Sequence, residues 1–176
     1  MTVLFPEAVK AQGNISVKVV QTIADMSAPK LATEINATSS VDVSCFLFSG
    51  GAGTATTNKG AAPRRVCTTD EFQEFGNTSY EVSDLQYVYS PQGAASTDAN
   101  KAKQALTEGS IVYLVIRKGL DADTAPFVAA QTVEVWRVKL GPQNRTMTGD
   151  GEFDQFSVTQ TVVVKGKPVL DGVVAA

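Results

Sequence analysis

SIVYLVI, residues 110–116, is the stretch whose reading decides the fold. It is apolar at nearly every position, so neither face of an extended chain is suited to water. Val, Ile and Tyr favour the extended state. A strand apolar on both faces belongs in the middle of a sheet that is covered on both sides.

Outward from this stretch, short blocks of Val, Thr, Ile and aromatic residues recur between Gly, Pro, Asn and Ser. They predict strands over residues 15–23, 30–35, 41–48, 64–68, 79–89, 110–118, 132–140, 156–164 and 168–170. Alternation is clearest in two of them. Val41, Val43, Cys45 and Leu47 share a face, with Asp42 and Ser44 on the other. Val133 and Val135 share a face, with Thr132, Glu134 and Trp136 opposite. One apolar and one polar face suits an antiparallel sheet.

One segment follows another period. STDANKAKQALTEG, residues 96–109, offers Ser96 or Thr97 as N-cap, Ala99, Ala102, Ala105 and Leu106 at helical spacing, and Gly109 as stop. Its narrow, Ala-rich stripe implies close packing on a sheet. The expected architecture is mainly β, a β-sandwich or small barrel with one flanking α-helix, in one domain spanning residues 1–176.

Between two expected strands lies SGGAGTATTNKGAA, residues 49–62, with one charge and no large apolar residue. It reads as the tip of a long hairpin loop. Loops of this length are usually functional or disordered. Two readings stay open: a surface loop, or a segment that orders on meeting another subunit.

Composition narrows the function. The 176 residues are 43% hydrophobic and 19% charged, enough apolar material for a core. A net charge of −3 argues against a protein that grips nucleic acid by its phosphates. No His occurs, which removes the commonest general base and metal ligand. No G-x-S-x-G or phosphate-binding loop is present, so no catalytic residue, cofactor site or enzyme activity is expected. Asp150, Glu152 and Asp154 alternate but lack a calcium loop's pattern; they read as a turn at Asp150-Gly151 followed by an acidic strand start rather than as metal ligands, and Asp121 and Asp123 read as turn residues. The Asn-x-Ser/Thr triplets at Asn14, Asn36, Asn77 and Asn144 read as chance in a Thr-rich chain. Cys45 and Cys67 read as buried free thiols. Nothing approaches the ~20 apolar residues of a membrane helix, and the N-terminus has no secretory pattern, so the expectation is a chain made in the cytoplasm without membrane insertion. Arg64 and Arg65, with Lys59, make the return arm of the loop basic, either as a solvated face or as a contact for a neighbour's carboxylates.

Four blocks occur in a telling order: RRVCTTDEFQEFGNTSYEVSDLQYVYSPQ at 64–92, KAKQALTEGSIVYLVIRKG at 101–119, AAQTVEVWRVKLGPQ at 129–143, and GEFDQFSVTQTVVVKGKPVLD at 151–171. The series resembles the major tail tube proteins of siphophages, in particular those infecting actinobacteria, over residues 40–171. The resemblance implies a structural virion protein with a β-sandwich fold and a flanking helix. It implies self-association into hexameric rings, stacked as a hollow tube around a tape-measure protein, between a tail terminator and a distal tail protein. Double-stranded DNA would pass through an acidic lumen during genome ejection. On that reading the loop makes inter-ring contacts through Gly50, Gly51, Gly53, Thr54, Thr56, Asn58 and Lys59, with Arg64 and Arg65 at its base. Residues 1–13 and 167–176 act as flexible arms, and Asp42, Ser44 and Glu134 line the lumen. Two alternatives remain: a tube subunit of a related tailocin or injection machine, and a monomeric carbohydrate-binding β-sandwich, for which Trp136 and four strand-borne tyrosines are thin support.

Overall fold

The computed structural model describes residues 8–94 and 97–176. Ser96 as N-cap, and most of the N-terminal arm, lie outside the described residues. Strand β1 is Ile15–Val20, β2 Val41–Asp42, β3 Leu47–Ser49, β4 Gly53–Ala61 and β5 Gln73–Val82. Further on come β6 Leu85–Val88, helix α1 Lys101–Ala105, β7 Ile111–Lys118, β8 Thr132–Met147, β9 Phe156–Val164 and β10 Val169–Val173.

As its sequence requires, β7 is central and covered on both faces. Val112, Leu114 and Ile116 enter a large core with Val17, Val19, Leu85, Tyr87, Trp136, Val138 and Leu140. Val115 enters a second, smaller core on the opposite face, with Val20, Ile35, Phe127, Val133, Val135 and Val174. The antiparallel sheet runs β2-β1-β7-β8-β9-β6-β3, and β10 pairs with β8. The two ends of that order, β2 and β3, are joined by a 3-10 turn at Ser44–Phe46. The sheet therefore curls back on itself around the large core, the sandwich-like form expected. β8 makes this possible: it pairs with β7 and β10 through its first half and with β9 through Val138–Met147.

The expected strand at 41–48 breaks at Val43, because the chain must turn there from one end of the sheet to the other. Val43 stays buried, but the turn rotates Cys45 outward, and both cysteines are free and exposed. The expected strand at 30–35 is a single wide helical turn, Leu31–Ile35, closed by Ile35 N to Lys30 O at 3.0 Å and Asn36 N to Leu31 O at 2.8 Å. Glu34 holds it in place by accepting from Ala24 N at 2.9 Å and Lys30 N at 2.7 Å. Residues 167–176 are docked on the chain's own sheet and are not a free arm. β10 pairs Val169 with Val135 and Gly172 with Val133, and Ala175 N donates to Pro29 O at 2.9 Å.

The helix is shorter than its pattern: a 3-10 turn at Asp98–Asn100 leads into α1. Ala102, Ala105 and Leu106 pack into the large core as the Ala-rich stripe implied. So short a helix leaves carbonyls unpaired at its end, and two glutamines from the sheet satisfy them. Gln143 Nε2 donates to Lys103 O at 2.9 Å and Leu106 O at 2.8 Å. Gln160 Nε2, fully buried, donates to Leu106 O at 3.1 Å and Gly141 O at 2.8 Å, while its Oε1 accepts from Tyr87 at 3.2 Å. Replacing Gln160 by Leu strands these groups inside the core. The expected cost is about 2–4 kcal/mol, since each buried group left unpaired costs roughly 1–3 kcal/mol. Urea unfolding of Gln160→Leu checks it.

Arg117 is buried at the end of β7, beside the second core. It donates to Pro126 O at 2.8 Å, Asp121 O at 2.9 Å and Ser16 Oγ at 2.8 Å, and lies 4.7 Å from the centre of the Phe127 ring. Burial lowers its pKa from the usual value. Its role is to tie the loop after β7 to β1.

Candidate assembly surfaces

The segment expected as a loop, 49–62, is largely strand. β4 pairs along its length with β5, from Gly53↔Val82 to Ala61↔Gln73, and forms a separate two-stranded ribbon. Nine residues at about 3.3 Å each make it roughly 30 Å long. Thr and Ala can pair by backbone without large side chains to bury, which explains a strand with no apolar face. The hairpin tip lies instead at residues 62–72, so 64–68, expected as a strand, is in the tip. The strand expected at 79–89 divides at Ser83 and Asp84 into β5 and β6.

The ribbon is anchored at its base and nearly bare elsewhere. An added Cβ on Gly53 would lie 2.0 Å from the Trp136 indole, so the glycine rests on that ring. Gly50, at φ +103°, passes Asp84 O so closely that a Cβ would lie 2.2 Å away. Ser83 N donates to Ala52 O at 3.0 Å, and Val82 is in the core. Along its length the ribbon holds a Thr57–Thr78 hydroxyl pair at 2.9 Å and Lys59 at 5.8 Å from the Phe75 ring. Gly76 and Asn77 together oppose Asn58, a bulge that increases twist. Both outer edges of the ribbon carry unpaired backbone groups, and a lone two-stranded hairpin is marginal in water.

The residues singled out from the sequence thus separate. Gly50, Gly51 and Gly53 hold the base against Asp84, Leu85 and Trp136. Thr54, Thr56, Asn58 and Lys59 lie along β4. Arg64 and Arg65 stand at the far tip, not at the base. Arg64 bonds Glu71 at 2.6 Å, with both side chains mostly exposed, a pair of small energetic weight. Cys45 sits at the body and Cys67 at the tip, a ribbon's length apart.

Asp42 and Glu134, expected on one lining surface, face opposite sides of the sheet. Asp42 pairs with Lys18, next to Val20 of the second core. Glu134 pairs with Ile116 of the large core, bonds Lys118, and accepts from Trp136 Nε1 at 3.3 Å. Trp136 is itself buried, because strand parity places it with Val138 and Leu140 rather than toward water. Ser44 Oγ donates to Asp42 Oδ1 at 2.6 Å and accepts from Val17 N at 2.9 Å, which stitches the 3-10 turn to β1.

The turn read at Asp150-Gly151 is present, and one surface beside it was not legible in the sequence. The β8–β9 hairpin ends in a turn held by Asp154, which accepts from Thr148 Oγ1 at 2.7 Å and from Gly151 N. These donors keep its carboxyl below the usual range. Beside this hairpin a cleft of about 440 Å³ is lined by Tyr89, Pro91, Gln92, Arg145, Met147 and Phe156. Its residues come from three separate segments, and no motif marks them. Among the described residues no group of acidic, Cys or His side chains could hold a metal, and no helix is long and apolar enough to cross a membrane. Trp136 and Tyr87, the aromatics a sugar platform would use, are in the core.

No curated protein matches the chain. The family model described as phage tail tube protein matches residues 3–176. That span exceeds the 40–171 over which resemblance was legible and takes in the N-terminal region. The family is a structural one of the virion tail, whose members self-assemble into a tube. With that match over nearly its whole length, the chain belongs to the phage tail tube protein family.

Proposed function

We propose that the chain forms hexameric rings that stack into the tail tube of a siphophage, that the tube assembles in the host cytoplasm around a tape-measure protein, and that it then conducts double-stranded DNA. The family match carries the reading. The ribbon supports it: one end of the subunit projects about 30 Å of paired backbone that has too little core of its own, and stacking would cover it. A subunit with unlike ends builds head-to-tail, open-ended assemblies. The resemblance of residues 40–171 supports an actinobacterial host, with a tail terminator and a distal tail protein as end partners. Residues 1–176 act as one domain, with 1–13 as an arm reaching a neighbour, and the ribbon as the inter-ring contact.

For the lumen we retain Asp42, which is exposed at the edge strand β2; Glu134, engaged with Lys118, is dropped. A net charge of −3 supports a bore that does not hold DNA. Antibodies against the chain should decorate virion tails along their whole length; label confined to the capsid or to one tail end would refute the reading. In Asp42→Lys virions of normal tail length, genome delivery per adsorbed particle should fall, and unchanged delivery would remove Asp42 from the bore.

A further inference from the structure

The ribbon tip and the cleft are two uncovered apolar features among the described residues, and they lie at opposite ends of one path. β4 and β5 continue, past the bend at Gly50 and Ser83–Asp84, into β3 and β6. The tip is at one end of this hairpin; Tyr89 and the cleft follow β6 at the other. At the tip, Val66 is fully exposed, Phe72 is 63% exposed and Phe75 is 77% exposed. Asp70, Glu71 and Glu74 flank them in sequence, and the tip also carries Arg65 and Arg64, the latter bonded to Glu71.

The cleft is the chemical complement. Tyr89, Pro91, Met147 and Phe156 make its apolar floor. Its charged lining residue is a cation, Arg145, 5.5 Å from the Tyr89 ring; Lys103, which lines the adjoining pocket, lies 4.7 Å from the same ring. Neither makes an ion pair among the described residues. The wall is also preformed. Asn100, buried, accepts from Ser90 N at 3.1 Å and donates to Ser90 O, Gly93 O and Ala94 O. A site that needs no ordering loses less free energy on binding.

We infer that the ribbon tip of one copy docks into the Tyr89–Arg145–Phe156 cleft of the next copy along the tube, Phe72 and Phe75 meeting the apolar floor and the tip carboxylates meeting Arg145 and Lys103. This rests on the tail tube reading. It assigns that reading's stacking contact to particular surfaces, and the repeat it generates is open-ended, because tip and cleft are different surfaces of one chain.

Native Cys67, exposed in the tip, provides the probe. In a Cys45→Ser background, Gln92→Cys is placed on the cleft rim, Met147→Cys serves as a second rim variant, and Thr124→Cys is the control on a distant exposed loop. Assembled tubes are treated with a mild oxidant and run on a non-reducing gel. A ladder of covalent oligomers is expected from the rim variants, lost when Cys67 is changed to Ser, with none from the control. Tubes that give no ladder from either rim variant, or an equal one from Thr124→Cys, overturn the docking alone. Failure of the unsubstituted protein to form tubes, both alone and on a tail initiation complex, overturns the tail tube reading, and the docking with it.

Discussion

Trimming the ribbon is expected to yield a folded subunit that no longer builds tubes. Thr56 and Ser79 face each other across the ribbon, so residues 57–78 can be replaced by Asn-Gly, the pair that best closes a two-residue hairpin. No buried core residue lies within 57–78. The base, with Gly53 on Trp136 and Val82 in the core, is untouched. Stability should therefore change by about 1 kcal/mol or less, because surface trimming removes little buried area. Thermal melting checks the fold, and electron microscopy of the concentrated variant checks assembly. Normal tubes from it would show that the ribbon carries no stacking contact. Deleting 50–60 alone is a poorer experiment: it removes β4, leaves β5 unpaired and discards the glycines that seat the base.

Trp136→Ala should have the largest effect on the subunit itself. Trp136 is the largest fully buried side chain and touches both the large core and the ribbon base. Truncating a buried aromatic costs about 3–5 kcal/mol, against a total stability of roughly 5–15 kcal/mol for a domain. The cavity also removes the surface on which Gly53 rests, so protease cleavage within β4 should accelerate along with global destabilisation. An unchanged urea midpoint would mean the indole is not the keystone described here. Gly53→Val approaches the same contact from the other side: its side chain must displace the indole or lift the ribbon, and it should mimic the ribbon phenotype with a smaller loss of stability.

What could be read from the sequence followed from side chains that must be buried. SIVYLVI had to be central, and Ala102, Ala105 and Leu106 had to meet a sheet. Both expectations hold because burial leaves those residues no alternative place. The ribbon was misplaced for the opposite reason: Gly53–Ala61 has nothing large to bury, so hydrophobic periodicity is silent, and only its partner strand makes it extended. Cys45 was misassigned by trusting strict alternation through a 3-10 turn, whereas the alternation that sets Trp136 opposite Val133 and Val135 holds, and what differs is that both faces of that strand are covered. The wide turn at Leu31–Ile35 has β-like composition, yet Glu34 and the docked C-terminal residues fix its shape from a distance. The cleft joins residues from β8, β9 and the loop after β6, so it exists only once the sheet has curled.

A tail tube subunit must stack on copies of itself into a hollow tube. Negative-stain electron microscopy of the purified, concentrated protein tests it most directly. Sixfold rings in end view and hollow tubes in side view are expected. A strict monomer at high concentration that also fails to extend a tail initiation complex would contradict it.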